Sequence, residues 1–140
     1  MPPNLLTDTV PMDETWSRPG PEVVAAFDGL PAAAVGDVLD RLPVMDAGIR
    51  HLAGPTGLVG PALTVQTRPG DNLAIFRALQ AARPGDVLVV AGGGDRNRAL
   101  LGDLIGELLV AHGVTGVVID GAVRDVATLD EMGLTVFARA

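Results

Sequence analysis

Two short, uninterrupted apolar runs, at residues 87–90 and 117–119, constrain the fold more than any other feature of this sequence. Apolar runs without alternation are typical of strands that are covered on both faces, as in parallel sheets packed between helices. Apolar residues at helical spacing precede the first run and separate it from the second, at residues 73–79 and 100–109. The alternation predicts a layered α/β domain with parallel strands.

Apolar spacing also places the other elements. Helices are predicted at residues 21–27, 32–42, 73–79 and 126–132, and strands at residues 57–67 and 134–137. Asp71 is a suitable N-cap for the third of these helices. The leucine stripe at residues 100–109 is interrupted by Gly102, and helix propensity leaves open whether that helix begins before Gly102 or at it.

The two ends of the chain differ from its middle. Residues 1–20 carry four prolines and no apolar periodicity, so we interpret them as an N-terminal arm that Trp16 could anchor, and residues 21–140 as the α/β domain. The chain ends directly after the last predicted strand, so we expect the sheet to be incomplete at its C-terminal side. We find no signal-peptide pattern and no apolar run of membrane-spanning length, and therefore expect a cytoplasmic protein without membrane contact.

Composition limits the chemistry that is open to this chain. The net charge of −7 argues against nucleic-acid binding, which draws on clustered basic residues. Cysteine is absent, so a metal would be held by oxygen or imidazole ligands. Lysine is also absent, which excludes a Schiff-base aldolase. Neither His51 nor His112 has a second metal ligand at suitable spacing, and His112 is better explained as the C-terminal residue of a helix.

Three segments follow predicted strands, at the edge where open α/β sheets bind their ligands. They are residues 69–72, 92–95 and 120–125. The glycines at positions 92–94 would let the backbone approach a ligand, and a helix N-terminus after them would bind an anion, but their spacing lacks the dinucleotide and P-loop patterns. A binding loop and a flexible crossover turn are equally consistent with these glycines.

Residues 120–125 combine a guanidinium group with two carboxylates at the end of one strand. Arg124 could hold a substrate carboxylate through two parallel hydrogen bonds, and an aspartate could bind Mg²⁺ or Mn²⁺. The alternative is a solvated pair of Arg124 and Asp125 in a turn, with Asp125 as the N-cap of the next helix. The residue types alone slightly favour this alternative.

Six motifs occur in a fixed order along residues 31–140. They are Gly60-Pro61-Ala62-Leu63-Thr64-Val65, Pro69-Gly70-Asp71-Asn72-Leu73, Pro84-Gly85-Asp86-Val87-Leu88-Val89-Val90, Gly102-Asp103-Leu104-Ile105, Val118-Ile119-Asp120-Gly121-Ala122-Val123-Arg124-Asp125 and Val136-Phe137-Ala138-Arg139. In this order and spacing they resemble the RraA-like family. That family includes metal-dependent aldolases that cleave 4-hydroxy-4-methyl-2-oxoglutarate or 4-carboxy-4-hydroxy-2-oxoadipate and decarboxylate oxaloacetate, and also non-enzymatic regulators of ribonuclease E.

The resemblance implies a swivelling β/β/α domain, assembled as a homotrimer or hexamer with active sites at the subunit interfaces. It implies an enzyme whose substrate is a small 2-oxo acid and whose cofactor is a divalent cation, Mg²⁺ or Mn²⁺. The cation would stabilise the charge of the pyruvate enolate, which aldol cleavage and oxaloacetate decarboxylation share.

The resemblance also assigns roles to particular residues. The backbone amides that would receive the substrate at a helix N-terminus belong to Gly102, Asp103, Leu104 and Ile105, which favours Gly102 as the helix start. Arg124 would grip the pyruvyl end of the substrate, and Asp125 would hold the metal. A water molecule oriented by Asp103 or held by the metal would act as the general base.

Two departures from the family pattern are visible. The position three residues after Asp125 is usually acidic in the family aldolases, and here it is Thr128. We therefore expect lower metal affinity. Family members also continue well beyond Ala140, so we expect a truncated chain. The alternatives to an aldolase are a regulator that acts by protein contact and an inactive, truncated homologue.

Overall fold

The computed structural model describes residues 7–13 and 15–140. A 3-10 helix at Thr7–Thr9 precedes α1 (Pro21–Ala25), α2 (Ala32–Val38), β1 (Arg50–Ala53), β2 (Ala62–Gln66), α3 (Leu73–Leu79), β3 (Val87–Leu101), α4 (Asp103–Ala111), β4 (Gly116–Val123), α5 (Val126–Glu131) and β5 (Thr135–Ala138). The strands form one sheet in the order β1-β5-β4-β3-β2, in which only β1 is antiparallel to its neighbour. The predicted α/β fold with parallel strands is confirmed.

The core is built on the parallel strands. One row of paired residues crosses the sheet from β2 to β5 and consists of Val65, Val90, Ile119 and Ala138, all of them buried. Burial of such side chains contributes about 25 cal/mol per Å² of apolar surface removed from water. Among the described residues, none of the helices has the length and apolar content that a membrane crossing requires.

The start of α4 differs from the leucine stripe that suggested it. Leu100 and Leu101 belong to the stripe, and the spacing left open whether they are helical; they form the end of β3 and are fully buried. Gly102 is the N-cap, and the first helical residue is Asp103. The start at Gly102 that the family resemblance favoured is therefore correct to within one residue.

The glycine run lies inside β3, where the sequence suggested a turn followed by a helix. Gly93 and Gly94 have φ angles of +73° and +72°, which glycine adopts without the steric penalty of a side chain. The pairing with β4 shifts register between Val90 and Asp95, and shifts again between Asp95 and Ala99 and between Ala99 and Leu101. No helix N-terminus follows the glycines directly, because the chain continues beside β4 as far as Leu101.

Other boundaries differ by a few residues. The strand predicted at residues 57–67 is restricted to Ala62–Gln66, directly after Pro61. The N-cap of α3 is Asn72, and Asp71 still accepts a hydrogen bond from the Leu73 amide at 3.0 Å. The sequence did not indicate β1, because Arg50–Ala53 is short and only Ala53 in it is buried.

Helices α1 and α2 are shorter than predicted and pack little. Residues 39–42 leave the helix, since Asp40 and Arg41 take φ angles of +54° and +60°. No residue of α1 is buried, and in α2 only Gly36 is. The large apolar side chains that stand exposed in this region are Val23, Phe27, Leu30, Val38, Leu39, Leu42, Val44 and Met45. The apolar periodicity therefore predicted the helices but not their burial.

The described part of the arm is attached to the domain. Trp16 packs against the hydrophobic core, as predicted, and the Arg18 guanidinium lies 4.2 Å from the centre of its ring. Arg18 also forms a two-point ion pair with the buried carboxylate of Asp86. Residues 1–6 and residue 14, which belong to the predicted arm, lie outside the described residues.

Candidate active site

The three candidate segments lie close together, although residues 92–95 fall inside β3 and residues 120–123 inside β4. A Cβ on Gly93 would lie 3.3 Å from Cγ of Pro69, and one on Gly94 would lie 4.0 Å from Oδ1 of Asp120. Parallel strands bring their carboxyl ends to one edge, so residues that are far apart in sequence become neighbours there.

Arg124 and Asp125 follow β4 at this edge. The Arg124 amide donates to the carbonyl of Leu101 at 2.9 Å, which fixes the end of β4 beside the end of β3. Asp125 has φ 57° and ψ 36°, a left-handed conformation that aspartate tolerates better than most residues. It occupies the N-cap position of α5, as the alternative interpretation expected, but its side chain makes no capping hydrogen bond to α5.

The Asp125 carboxylate is directed to the start of the other helix, α4. Its Oδ2 atom accepts from the Asp103 amide at 3.3 Å and lies 3.2 Å from Nε of Arg124. The Arg124 side chain is 68% exposed and that of Asp125 37%, so both groups are open to a ligand from solvent.

Gly102 makes this close approach possible. A Cβ at this position would lie 2.6 Å from Oδ2 of Asp125 and 2.8 Å from Nε of Arg124, both too close. Its φ of −148° is ordinary extended backbone, so a side chain here would act only by displacing the exposed side chains of Arg124 and Asp125. Gly102, Arg124 and Asp125 therefore form one contiguous surface.

The first amides of α4 already bind carboxylate oxygens. The Asp103 amide has the Asp125 carboxylate, and the Leu104 amide donates to Oδ1 of Asp103 at 2.7 Å. Unpaired N–H groups at a helix N-terminus favour anions, and these contacts show that preference within the chain. A substrate carboxylate would have to replace the Asp103 carboxylate at the Leu104 amide. Ile105 contributes a buried side chain that fixes the helix on the core.

A second polar cluster joins β4 to β5 and was not found in the sequence. The Arg139 guanidinium donates to the Asp120 carboxylate and, at 2.9 Å, to that of Asp46. The Asp120 hydrogen bond, with that of Asp46, raises the pKa of Arg139, while the Gly48 amide and then Arg139 lower the pKa of Asp46. Asp120 is thus engaged with Arg139 rather than with Arg124. Asp46 and Arg139 are 93 residues apart, and no local pattern connects them.

Histidines do not contribute to the site. His112 is the C-cap of α4, which confirms its predicted position at the end of the helix. Its Nδ1 atom lies 2.7 Å from the carbonyl oxygen of Leu108. His51 lies on β1 and contacts Gly54 and Phe137. Within residues 7–13 and 15–140 no group of three or more histidines, aspartates and glutamates is placed to share one metal ion.

Comparison with known proteins agrees with the motifs and the fold. The sequence profile of the RraA-like family, described as Aldolase/RraA, matches residues 32–140. This chain belongs to the RraA-like family. A relative from Halalkalibacterium halodurans, provisionally named a 4-hydroxy-4-methyl-2-oxoglutarate aldolase, is 36% identical over 118 residues, which are 84% of this chain and 56% of that protein.

Two further RraA-like relatives extend the comparison. A protein of Xanthomonas campestris with the same provisional name is 42% identical over 107 residues, or 74% of this chain and 64% of that protein. The structure of Streptomyces coelicolor RraAS2, described as an unusual member of the RNase ES inhibitor RraA family, superposes with a TM-score of 0.75 at 29% identity and covers 87% of this chain and 65% of that one. The chain thus spans somewhat over half the length of these relatives.

Proposed function

We propose that this chain is a class II aldolase that uses Mg²⁺ or Mn²⁺ to cleave 4-hydroxy-4-methyl-2-oxoglutarate or 4-carboxy-4-hydroxy-2-oxoadipate to pyruvate, and that it also decarboxylates oxaloacetate. The observation that carries the proposal is the contact of Asp125 with both Arg124 and the first amide of α4. A guanidinium fork, helix amides and a carboxylate are the groups that a metal-bound 2-oxo acid requires. The provisional names of the relatives support an aldolase that acts on 4-hydroxy-4-methyl-2-oxoglutarate.

The residues at the site fit a hard divalent cation. Asp125 and Asp103 provide carboxylate oxygens. Because Gly102 has no side chain, the Asp125 carboxylate can lie next to the start of α4. Mg²⁺ is commonly held by one or two carboxylates and retains several waters, so a sparse ligand set suits it better than it suits a metal that needs a full protein cage. Thr128 is exposed and adds no carboxylate, which supports the expectation of modest metal affinity.

Each group at the site has a separate role in cleavage. Arg124 binds the substrate carboxylate through paired hydrogen bonds, and the α4 amides bind oxygen atoms that carry negative charge. Asp103 orients a water that removes the proton from the C4 hydroxyl group. The C3–C4 bond then breaks as the C4 oxygen forms a carbonyl, which releases a second 2-oxo acid. The electron pair of the bond passes into the pyruvate enolate, and protonation at C3 gives pyruvate. A bound divalent cation supplies stabilisation of the charge on the 2-oxo oxygen.

Pyruvate release by the purified chain tests the proposal directly. We expect turnover of oxaloacetate and of 4-hydroxy-4-methyl-2-oxoglutarate that EDTA suppresses and added Mn²⁺ restores. The control is free Mn²⁺ without protein, since the metal alone decarboxylates oxaloacetate. A folded sample that gives no pyruvate above this background from either substrate would contradict the aldolase proposal.

Gly102→Ala should weaken metal binding. The new methyl group would push the Asp125 carboxylate and the Arg124 side chain away from α4, and we expect about a tenfold loss of Mn²⁺ affinity in calorimetric titration. Because both displaced groups face solvent, the free energy of unfolding should change by less than about 1 kcal/mol. Gly57→Ala is the matched control, since a Cβ at Gly57 would meet nothing within 4 Å. Equal Mn²⁺ affinity in the two variants would argue against metal binding at Asp125.

A second candidate function is regulation through protein contact. Eight large apolar side chains between residues 23 and 45 are exposed, and their number in one stretch of the chain favours an interaction site there. The same surface supports assembly into a homotrimer or hexamer. Metal-dependent pyruvate release separates the enzyme from the regulator, and analytical ultracentrifugation measures the assembly.

A further inference from the structure

Arg139 follows β5 and connects three segments of the fold. Its guanidinium group donates to the Asp120 carboxylate on β4 and, at 2.9 Å, to the carboxylate of Asp46. Its carbonyl oxygen accepts from the Arg96 side chain on β3 at 3.1 Å. The Arg139 side chain is only 22% exposed, far less than that of Arg124. Neither Arg139 nor its partners have a part in the cleavage proposed above.

The contacts of Arg139 lie at the end of β4, close before the residues that act on the substrate. The Val123 amide donates to the carbonyl of Ala140 at 2.8 Å, so the chain beyond β5 continues the ladder on this side of β4. On the other side, Val123 pairs with Leu101 of β3, and the Arg124 amide donates to the Leu101 carbonyl. The position of Arg124 therefore depends on both neighbouring strands.

The β5 side of this ladder is the regular one. The pairing of β3 with β4 changes register three times between residues 90 and 101. The pairing of β4 with β5 runs without a shift from Gly116 to Ile119. Asp120 and Arg139 follow this regular stretch directly, and an ion pair between neighbouring strands stabilises their alignment. The end of β4 is thus aligned mainly from the side of Arg139.

We propose that Arg139 is a positioning residue for the cleavage reaction and acts through Asp120. This inference rests on the proposed aldolase function. The ion pair holds the end of β4 at one place in the sheet, and thereby holds Arg124 and Asp125 beside the first turn of α4. Neither Arg139 nor Asp120 touches the substrate. Their effect on the rate comes from geometry, since a displacement of about 1 Å at a reacting group can lower a rate by about 100-fold.

Pyruvate release at saturating Mn²⁺ is the first test. Arg139→Ala should lower kcat about tenfold and leave KM within about threefold, because the binding groups remain but are no longer held in one arrangement. Asp120→Ala should reproduce this loss, and the double variant should lose no more than either single one. Arg139→Lys keeps the charge and should recover part of the rate. If Arg139→Ala does not fold, Asp120→Asn, which keeps the shape of the side chain, should still lower kcat.

Asp46→Ala is the matched control. It removes the other carboxylate that Arg139 contacts, and the Asp46 side chain is 61% exposed. The ion pair of Arg139 with Asp120 stays in place. We expect kcat to remain within about twofold of the unmodified chain, as for the loss of an exposed ion pair.

Amide hydrogen exchange, followed by NMR, gives a readout that does not depend on activity. Arg139→Ala should speed the exchange of the Val123 and Arg124 amides about tenfold, because local opening at the end of β4 becomes easier. The Val118 amide, in the regularly paired part of β4, should keep its exchange rate. A general loss of stability would instead speed the exchange of all three amides.

The outcomes separate this inference from the proposed function. The inference is wrong if Asp46→Ala lowers kcat as much as Asp120→Ala, or if the losses of Arg139→Ala and Asp120→Ala add. It is also wrong if exchange at Val123 and Arg124 does not change. The aldolase proposal stands in each of these cases. If the unmodified chain releases pyruvate from neither oxaloacetate nor 4-hydroxy-4-methyl-2-oxoglutarate, the proposed function fails and this inference fails with it.

Discussion

Arg124→Ala is expected to lower kcat/KM for pyruvate release by about 100-fold or more, the size of effect seen when one preorganised charge-stabilising donor is removed from an active site. Arg124 is the guanidinium group in contact with both the Gly102 surface and Asp125. The free energy of unfolding should change little, because the Arg124 side chain is 68% exposed and its ion pair lies at the surface.

The loss should be in substrate binding and catalysis and not in metal binding. Removing a positive charge 3.2 Å from the Asp125 carboxylate leaves that carboxylate at least as able to bind a cation. Calorimetric titration with Mn²⁺ should therefore show unchanged or tighter binding for Arg124→Ala. Arg124→Lys keeps the charge but loses the planar fork, and we expect it to recover only part of the activity.

The matched control is Arg41→Ala. Arg41 also forms an ion pair with a nearby aspartate at the surface, Asp37, but it follows α2 and belongs to none of the segments that surround Gly102. The Arg41→Ala substitution removes the same charge as Arg124→Ala and should leave kcat/KM unchanged. Equal activity in the two variants, or equal losses, would mean that Arg124 does not bind the substrate.

Local sequence was sufficient for much of the fold. Apolar runs identified β3 and β4, and helical spacing identified α3 and α5. In these elements the apolar residues recur at the positions that face the core. Helical spacing left the assignment of Leu100 and Leu101 open for a physical reason: adjacent leucines before a leucine-rich helix satisfy helical spacing as well as burial in a strand. The pairing of Leu101 with Val123 decides between the two, and pairing is not a local property.

The candidate site was predictable in part. Arg124 and Asp125 are adjacent, and their place after an apolar run located them at a strand end. The contact of Asp125 with the Asp103 amide spans 22 residues and depends on the register of β3 against β4, which the Gly93 and Gly94 bulge alters. From the sequence, only the family resemblance indicated that residues 102–105 and residues 124–125 belong to one site.

Arg18→Ala is expected to have the largest effect on stability, a loss of roughly 3–5 kcal/mol, because it leaves a buried carboxylate without its cation. The Asp86 side chain is 1% exposed, and Arg18 contacts its two oxygens at 2.7 and 2.6 Å while donating to the carbonyl of Ala81 at 2.7 Å. Without Arg18, the Asp86 carboxylate would keep the hydrogen bond from the Arg83 amide but would have lost its cation. Urea denaturation measures the change.

A double-mutant cycle shows whether the Asp86 charge is the cause. Removing both partners, as Arg18→Ala with Asp86→Ala, should cost less than the sum of the two single changes, since no buried charge is left unpaired. Arg41→Ala again serves as the control and should cost less than about 1 kcal/mol, because the Arg41 and Asp37 side chains are 79% and 61% exposed. If Arg18→Ala cost no more than Arg41→Ala, the arm would be held by the packing of Trp16, and Asp86 would be satisfied by the backbone alone.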